Sequence, residues 1–111
     1  QRQMCIRDRI GTVQLALDMP QNQPHRAEIQ KLLVEPSARR CGVGRELMQR
    51  AEQAARGIGR SLLVLDTRTG TPAEALYRAM GWTELGTIPG GELDPDRVPA
   101  DVVHFWKRVS A

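Results

Sequence analysis

The chain has no apolar run approaching the roughly 20 residues of a membrane span, and no apolar segment behind a basic start that would act as a signal peptide. It carries no internal repeat and no low-complexity tract. A helical membrane anchor, a solenoid and a disordered scaffold are therefore not expected. Cysteine is scarce: Cys5 and Cys41 make neither a metal-ligand spacing nor a disulfide framework, and a reducing cytoplasm is the expected compartment. His25 and His104 are far apart and poorly supported by acids or cysteines, so no metal site is expected. Lysine is nearly absent, with 14 arginines against Lys31 and Lys107. What remains, 111 residues at 41% hydrophobic and 26% charged, suits one soluble domain with a single modest core.

Residues 1–9, Gln1-Arg2-Gln3-Met4-Cys5-Ile6-Arg7-Asp8-Arg9, fit nothing that follows and read as a non-native leader; a native strand from Ile6 is the other reading. The domain proper is taken as 10–111. Without Arg2, Arg7, Arg9 and Asp8, the 16 bases and 13 acids fall to 13 and 12, and the net charge from +3 to +1. So small a balance is no argument for a nucleic-acid partner.

Hydrophobic alternation predicts a strand over Ile10–Met19, with Val13, Leu15 and Leu17 on one face, a polar turn, and a second strand over Arg26–Val34 that returns as a hairpin. Glu28, Gln30, Leu32 and Val34 are expected on one face. Val43, Leu47, Ala51, Ala54 and Ile58 then recur at helical spacing, with Glu46–Arg50 and Glu52–Arg56 outside and Gly57 and Gly59 as the stop. Leu62-Leu63-Val64-Leu65 reads as a strand covered on both faces and parallel to its predecessor. Thr71-Pro72-Ala73-Glu74 is a helix start with cap, N1 proline and capping-box glutamate, and Gly81 is its end. Trp82–Ile88 and Val102–Val109 read as closing strands separated by a Gly/Pro/Asp loop.

Between the second strand and the long helix stands Arg39-Arg40-Cys41-Gly42-Val43-Gly44. Glycines that let the backbone turn, a helix N-terminus and neighbouring arginines together make a cradle for a diphosphate. A nucleoside-triphosphate loop would need Gly-Lys-Ser/Thr, whereas Arg45-Glu46 follows Gly44. A dinucleotide fingerprint would want a glycine in place of Leu47, although Asp66 lies near the spacing of a ribose-binding acid. That Rossmann-type reading stays open as an alternative.

The loop resembles the Arg/Gln-x-x-Gly-x-Gly/Ala motif of the GCN5-related N-acetyltransferases. The resemblance extends to Ala27-Glu28-Ile29 and Leu33-Val34-Glu35-Pro36 before the loop, and to Ala73-Glu74-Ala75-Leu76-Tyr77-Arg78-Ala79-Met80-Gly81-Trp82, which looks like the family's A-x-x-L-Y-x-x-x-G-F/W signature. It covers residues 10–109 in the family's order. It implies an α/β (α+β) fold: a mixed, mostly antiparallel sheet with a parallel central strand pair, flanked by two helices. The order corresponds to the family fold from its third strand onward, so a partial fold lacking the N-terminal strand-helix-helix-strand is expected.

The implied cosubstrate is acetyl-CoA and the implied activity is transfer of acetyl to a primary amine, with a small-molecule acceptor as partner; no nucleic acid or membrane partner is implied, and a homodimer is compatible. By the same resemblance Arg39, Arg40, Cys41, Gly42, Val43, Gly44 and Arg45 hold the pyrophosphate, and the main chain of Leu32, Leu33 and Val34 meets the pantetheine arm. Tyr77 is placed to protonate the departing thiolate, or its ring is core. Glu28 is placed where some relatives carry the general base, or it faces solvent. Asp66 and Thr67 face the acceptor or cap the turn to Thr71. Gly70 departs from the family, many members having a cofactor-contacting asparagine there. An inactive CoA-binding fragment remains the other reading.

Overall fold

The computed structural model describes residues 3–8, 10–36 and 42–109. Its elements are β1 (Gln3–Asp8), β2 (Gly11–Ala16), β3 (Arg26–Val34), α1 (Val43–Gly57), β4 (Leu62–Arg68), α2 (Pro72–Ala79), β5 (Thr83–Leu93) and β6 (Pro99–Arg108). The strands hydrogen-bond in the order β1-β2-β3-β4-β6-β5. One neighbouring pair, β3 and β4, is parallel, while β1–β2, β2–β3 and β5–β6 are antiparallel. This is the mixed, mostly antiparallel sheet with two helices that the resemblance implies. Two compact units divide the chain, Gln1–Val64 with Arg108–Ala111 and Leu65–Lys107.

In the first unit, residues 3–8 of the stretch read as a leader form β1, which pairs with β2 from Gln3↔Ala16 to Asp8↔Gly11. Ile6 lies opposite Val13 and is buried. Strand β2 stops at Ala16 rather than Met19, because Pro20 and Pro24 flank a turn closed by Gln23 N–H donating to Pro20 O at 2.8 Å. Helix α1 packs on β1, β2 and β3. Its buried stripe is Val43, Leu47, Met48, Ala51, Glu52 and Ala55. The stripe matches the expected one through Ala51 and then rotates, leaving Ile58 43% exposed at the C-cap and bringing Glu52, expected outside, to 7% exposure. Gly59, at φ +81°, ends the helix in the left-handed conformation that glycine takes without strain. Val13, Leu15, Ala27, Leu47, Met48, Ala51, Ala55 and Leu63 are sealed from solvent, each larger side chain contributing about 2 kcal/mol by its burial.

The second unit carries α2 as the capping pattern predicts. Thr71 Oγ accepts from Glu74 N–H at 3.3 Å, and Glu74 Oε1 reaches back past the cap to accept from Gly70 N–H at 2.7 Å. Strands β5 and β6 are longer than the sequence suggested. The Pro89-Gly90-Gly91 stretch, expected in a loop, is a bulge inside β5, between Ile88↔Val102 and Glu92↔Ala100. Gly90 N–H donates to Asp101 Oδ1 at 2.9 Å, a side-chain partner that holds the irregular strand in place. Strand β4, expected to be covered on both faces, is not: Leu63 and Leu65 are buried, whereas Leu62 and Val64 are half-buried.

Candidate functional site

The N-terminus of α1 lacks a side-chain cap. Gly42 occupies the N-cap at φ +81°, ψ +6°, where many helices use an Asp, Asn, Ser or Thr side chain, and among the described residues no side chain caps the first turn. Glu46 N–H donates to Gly42 O at 3.0 Å, so the helix ladder begins there. The amides of Val43, Gly44 and Arg45 precede that first bond and lie at the positive end of the helix dipole. Among the described residues, a Cβ at Gly42 would meet nothing within 4 Å. Val43 is buried, Gly44 half-buried and Arg45 exposed. Arg39, Arg40 and Cys41, expected to complete the cradle, lie outside the described residues.

Gly11 sets where this helix end sits. A Cβ there would lie 2.7 Å from Leu47 Cδ1, 2.9 Å from Leu33 O and 3.3 Å from Val43 Cγ1. The missing side chain lets the first turns of α1 come down beside the end of β3. A glycine within a strand is the mark in the sequence of such a close approach.

Strand β3 departs from the expected alternation at Lys31, which takes φ +56°. Gln14 faces Gln30 and Thr12 faces Leu33, so Lys31 and Leu32 together stand opposite Val13. This bulge shifts the alternation by one. Leu33, not Leu32 or Val34, shares the face of Glu28 and Gln30, and it is 65% exposed. Lysine has no preference for such a position, and nothing in the sequence marks it. The parallel ladder with β4 stops at Glu28↔Val64. Beyond it, among the described residues of this unit, the edge of β3 away from β2 has no ladder partner, and the main chain of Leu32, Leu33 and Val34 lies on that stretch. Open amides at a helix start beside a free strand edge fit a diphosphate carrying an extended amide-bearing arm.

Glu28 is half-buried between Ala16 of β2 and Val64 of β4. Its Oε1 accepts from Gln30 Nε2 at 3.2 Å, which orients the carboxylate along the strand. Close by in the ladder, Gln14 Oε1 is buried without a partner among the described residues.

Tyr77 belongs to the second unit. Its ring, 5% exposed, stacks tilted on Trp82 and edge-on to Phe105, both at 6.1 Å between centroids. Arg78 places its guanidinium 5.1 Å from the centre of the Phe105 ring. Burial, and secondarily the charge of Asp66, push the Tyr77 hydroxyl up to about 12. The ring is thus core, as one reading of the sequence had it, while the hydroxyl stays protonated at neutral pH and can donate. Thr67 Oγ1 lies 3.4 Å from Thr71 Oγ1, and Thr71 Oγ1 also donates to Arg68 O at 2.9 Å, so Thr67 belongs to the turn into α2. Asp66 does not cap that turn. Its Oδ2 faces His104 Nδ1 at 3.9 Å, an ion-pair distance too long for a hydrogen bond. That pair joins residues far apart in the chain, and only the fold could have found it.

The sequence model of the acetyltransferase (GNAT) family matches residues 6–82. The chain belongs to this family, whose acyl donor is acetyl-CoA. An "IAA acetyltransferase" of Azospirillum brasilense is 39% identical over 70 residues, 62% of this chain and 44% of that protein. The chain therefore spans less than half the length of this curated relative. Among solved structures, ribosomal-protein-alanine N-acetyltransferase from Brucella melitensis is similar with a TM-score of 0.80 at 22% identity, over 96% of this chain and 67% of that one. The yncA acetyltransferase of Salmonella typhimurium, solved with its cofactor acetyl-CoA, has a TM-score of 0.80 at 18% identity, over 92% and 59% of the two chains. At these identities the likeness is one of fold.

Proposed function

We propose that this chain forms the acetyl-CoA-binding part of an N-acetyltransferase that moves acetyl to the primary amine of a small molecule. The observation that carries the reading is the uncapped start of α1, with its left-handed Gly42, set by Gly11 beside the free edge of β3. The amides of Val43, Gly44 and Arg45 hold the diphosphate, joined by Arg39 and Arg40. The main chain of Leu32, Leu33 and Val34 holds the arm as an added strand. Acetyl-CoA supplies an activated thioester carbonyl when bound. Fixing both ends of so long a ligand contributes to catalysis by orientation. Tyr77 keeps its proton and is the donor to the departing thiolate, and Glu28 is the candidate base.

Isothermal titration with CoA tests the reading. Saturable heat at a 1:1 ratio is expected, and its absence would overturn it. A CoA-binding module without turnover is the second reading. Binding of CoA with no acetyl transfer to any amine would select it. None of the described helices is long and apolar enough to cross a membrane.

A further inference from the structure

A cavity of about 420 Å³ opens in the first unit where the chain passes from β2 to β3, lined by Leu17, Asp18, Met19, Pro20 and Pro24 of that connection and by Arg60 from the segment between α1 and β4. Its frame is fixed locally. Pro20 and Pro24 hold their own φ near −65°, Gln23 N–H donates to Pro20 O at 2.8 Å, and Arg26 N–H donates to Gln23 O at 3.2 Å. The Arg26 guanidinium also donates to Gln23 Oε1 at 2.9 Å, which ties the turn to the start of β3. Leu17 is buried, Met19 half-buried and both prolines exposed, so the connection presents an apolar wall to the cavity.

Arg60 is the cation on the lining, and it is held at both ends. Its backbone N–H donates to Ala55 O at 2.9 Å, and the next two amides, Ser61 and Leu62, donate to His25 O at 2.9 and 3.1 Å. At the other end, Nη1 donates to Arg26 O at 2.7 Å. Among the described residues that is the one hydrogen bond of its side chain, and no described carboxylate forms an ion pair with it. A guanidinium carries five N–H donors in a fixed fork. The bond from Nη1 therefore orients the fork and leaves its other edge, Nε–H and Nη2–H, without a protein partner; this is the edge that matches the two oxygens of a carboxylate. Asp18, the acid on the lining, is exposed and sets a negative charge beside the same space. That charge disfavours a dianion and leaves a single negative charge as the better match.

We infer that this cavity binds a small aryl carboxylate, its two oxygens on Nε and Nη2 of Arg60 and its ring against Met19, Pro20 and Pro24. A volume at the lower end of the range for ligand cavities, about 300–1,000 Å³, suits such a molecule, and a thioether makes favourable contact with an aromatic ring. The inference does not rest on the acetyl-CoA reading. The cavity lies where β3 begins, at Arg26, whereas the main chain of Leu32, Leu33 and Val34 lies where it ends, about 20 Å further on at about 3.3 Å per residue. It is a second ligand site of the same unit, and no covalent bond is made or broken in it.

The test uses the full chain with labelled methionine methyls and benzoate as the probe, in the absence of CoA. Benzoate is expected to shift the Met19 methyl resonance saturably with a dissociation constant of about 1 mM, within reach of so small a ligand. Met48, sealed in the core, should stay in place. Benzamide keeps the shape and loses the charge, and should bind about tenfold more weakly, the loss of a charge-assisted hydrogen bond. Benzylamine should leave Met19 unmoved. Arg60→Lys keeps the charge but not the fork, and should also weaken benzoate about tenfold. Because that variant also alters the bond to Arg26 O, the benzoate and benzamide titrations of the parent decide if it fails to fold. Equal affinity for benzoate and benzamide, or a Met19 resonance that benzoate does not move, would overturn the proposal. So would inorganic phosphate binding as tightly as benzoate, since a bare anion makes no use of the apolar wall. CoA takes no part in these titrations, so a failed CoA titration leaves this site standing and a failed benzoate titration leaves the acetyl-CoA reading standing.

Discussion

Tyr77 meets Phe105 edge to face, with centroids 6.1 Å apart and ring planes at 66°. The ring is therefore part of the core of its unit, and its hydroxyl is the only phenol in the chain. Ultraviolet titration at the tyrosinate band should show no ionisation until about pH 12. The unfolded chain ionises near 10, so between these values the folded state holds the proton that the unfolded state releases. Stability is complete below pH 10 and falls as pH rises toward 12, by about 1.4 kcal/mol per unit. Tyr77→Phe should abolish that slope and lower turnover without changing CoA affinity, whereas Tyr77→Ala should cost about 3–5 kcal/mol. An ordinary tyrosinate titration near 10 would show the ring to be solvated.

Gly42 is the position where the candidate phosphate turn is most sensitive to a side chain. Since a Cβ would meet no described residue within 4 Å, the cost expected of Gly42→Ala is conformational. About 1–2 kcal/mol of strain is expected from the left-handed backbone, and Gly42→Asn should recover part of it. Both should weaken CoA in calorimetry, alanine more, with the melting temperature reporting the strain separately.

Gly11 is limited by contact instead. Gly11→Ala places a methyl 2.7 Å from Leu47 Cδ1 and 2.9 Å from Leu33 O, and the carbonyl cannot swing away without breaking the β2–β3 ladder. A loss of about 1–3 kcal/mol is expected from such overpacking, read by urea unfolding. A variant as stable as the parent would mean that α1 does not lie where described.

Glu28→Gln keeps the shape of the side chain and its neighbour Gln30 while removing the charge. If Glu28 is the base, turnover falls by about 100-fold and CoA binding is unaltered. A pH–rate profile coincident with the parent's would remove Glu28 from the mechanism.

Much of this was legible in the letters because it is local. Thr71, Pro72 and Glu74 specify the start of α2 through hydrogen bonds spanning no more than four residues. The stripe of Val43, Leu47 and Ala51 specifies α1, and the alternation of Val13, Leu15 and Leu17 specifies the buried face of β2 and the turn beyond it. The bulge at Lys31 was not legible, since it is defined by a residue count on the partner strand. Pro89-Gly90-Gly91 looked like a loop because its letters are those of loops, yet Asp101 supplies the hydrogen bond that keeps it in β5.

Taken alone, the order of residues determined the family, both helices and the central strands, and marked Gly42 to Arg45 as a candidate turn for a diphosphate, all of which depend on neighbours a few positions apart. Only the tertiary structure decided that Glu28 and Leu33 share a face, that Gly11 makes room for α1 and that Asp66 faces His104. Those relations follow from strand register and packing, which join distant residues whose identities carry no local mark of the pairing.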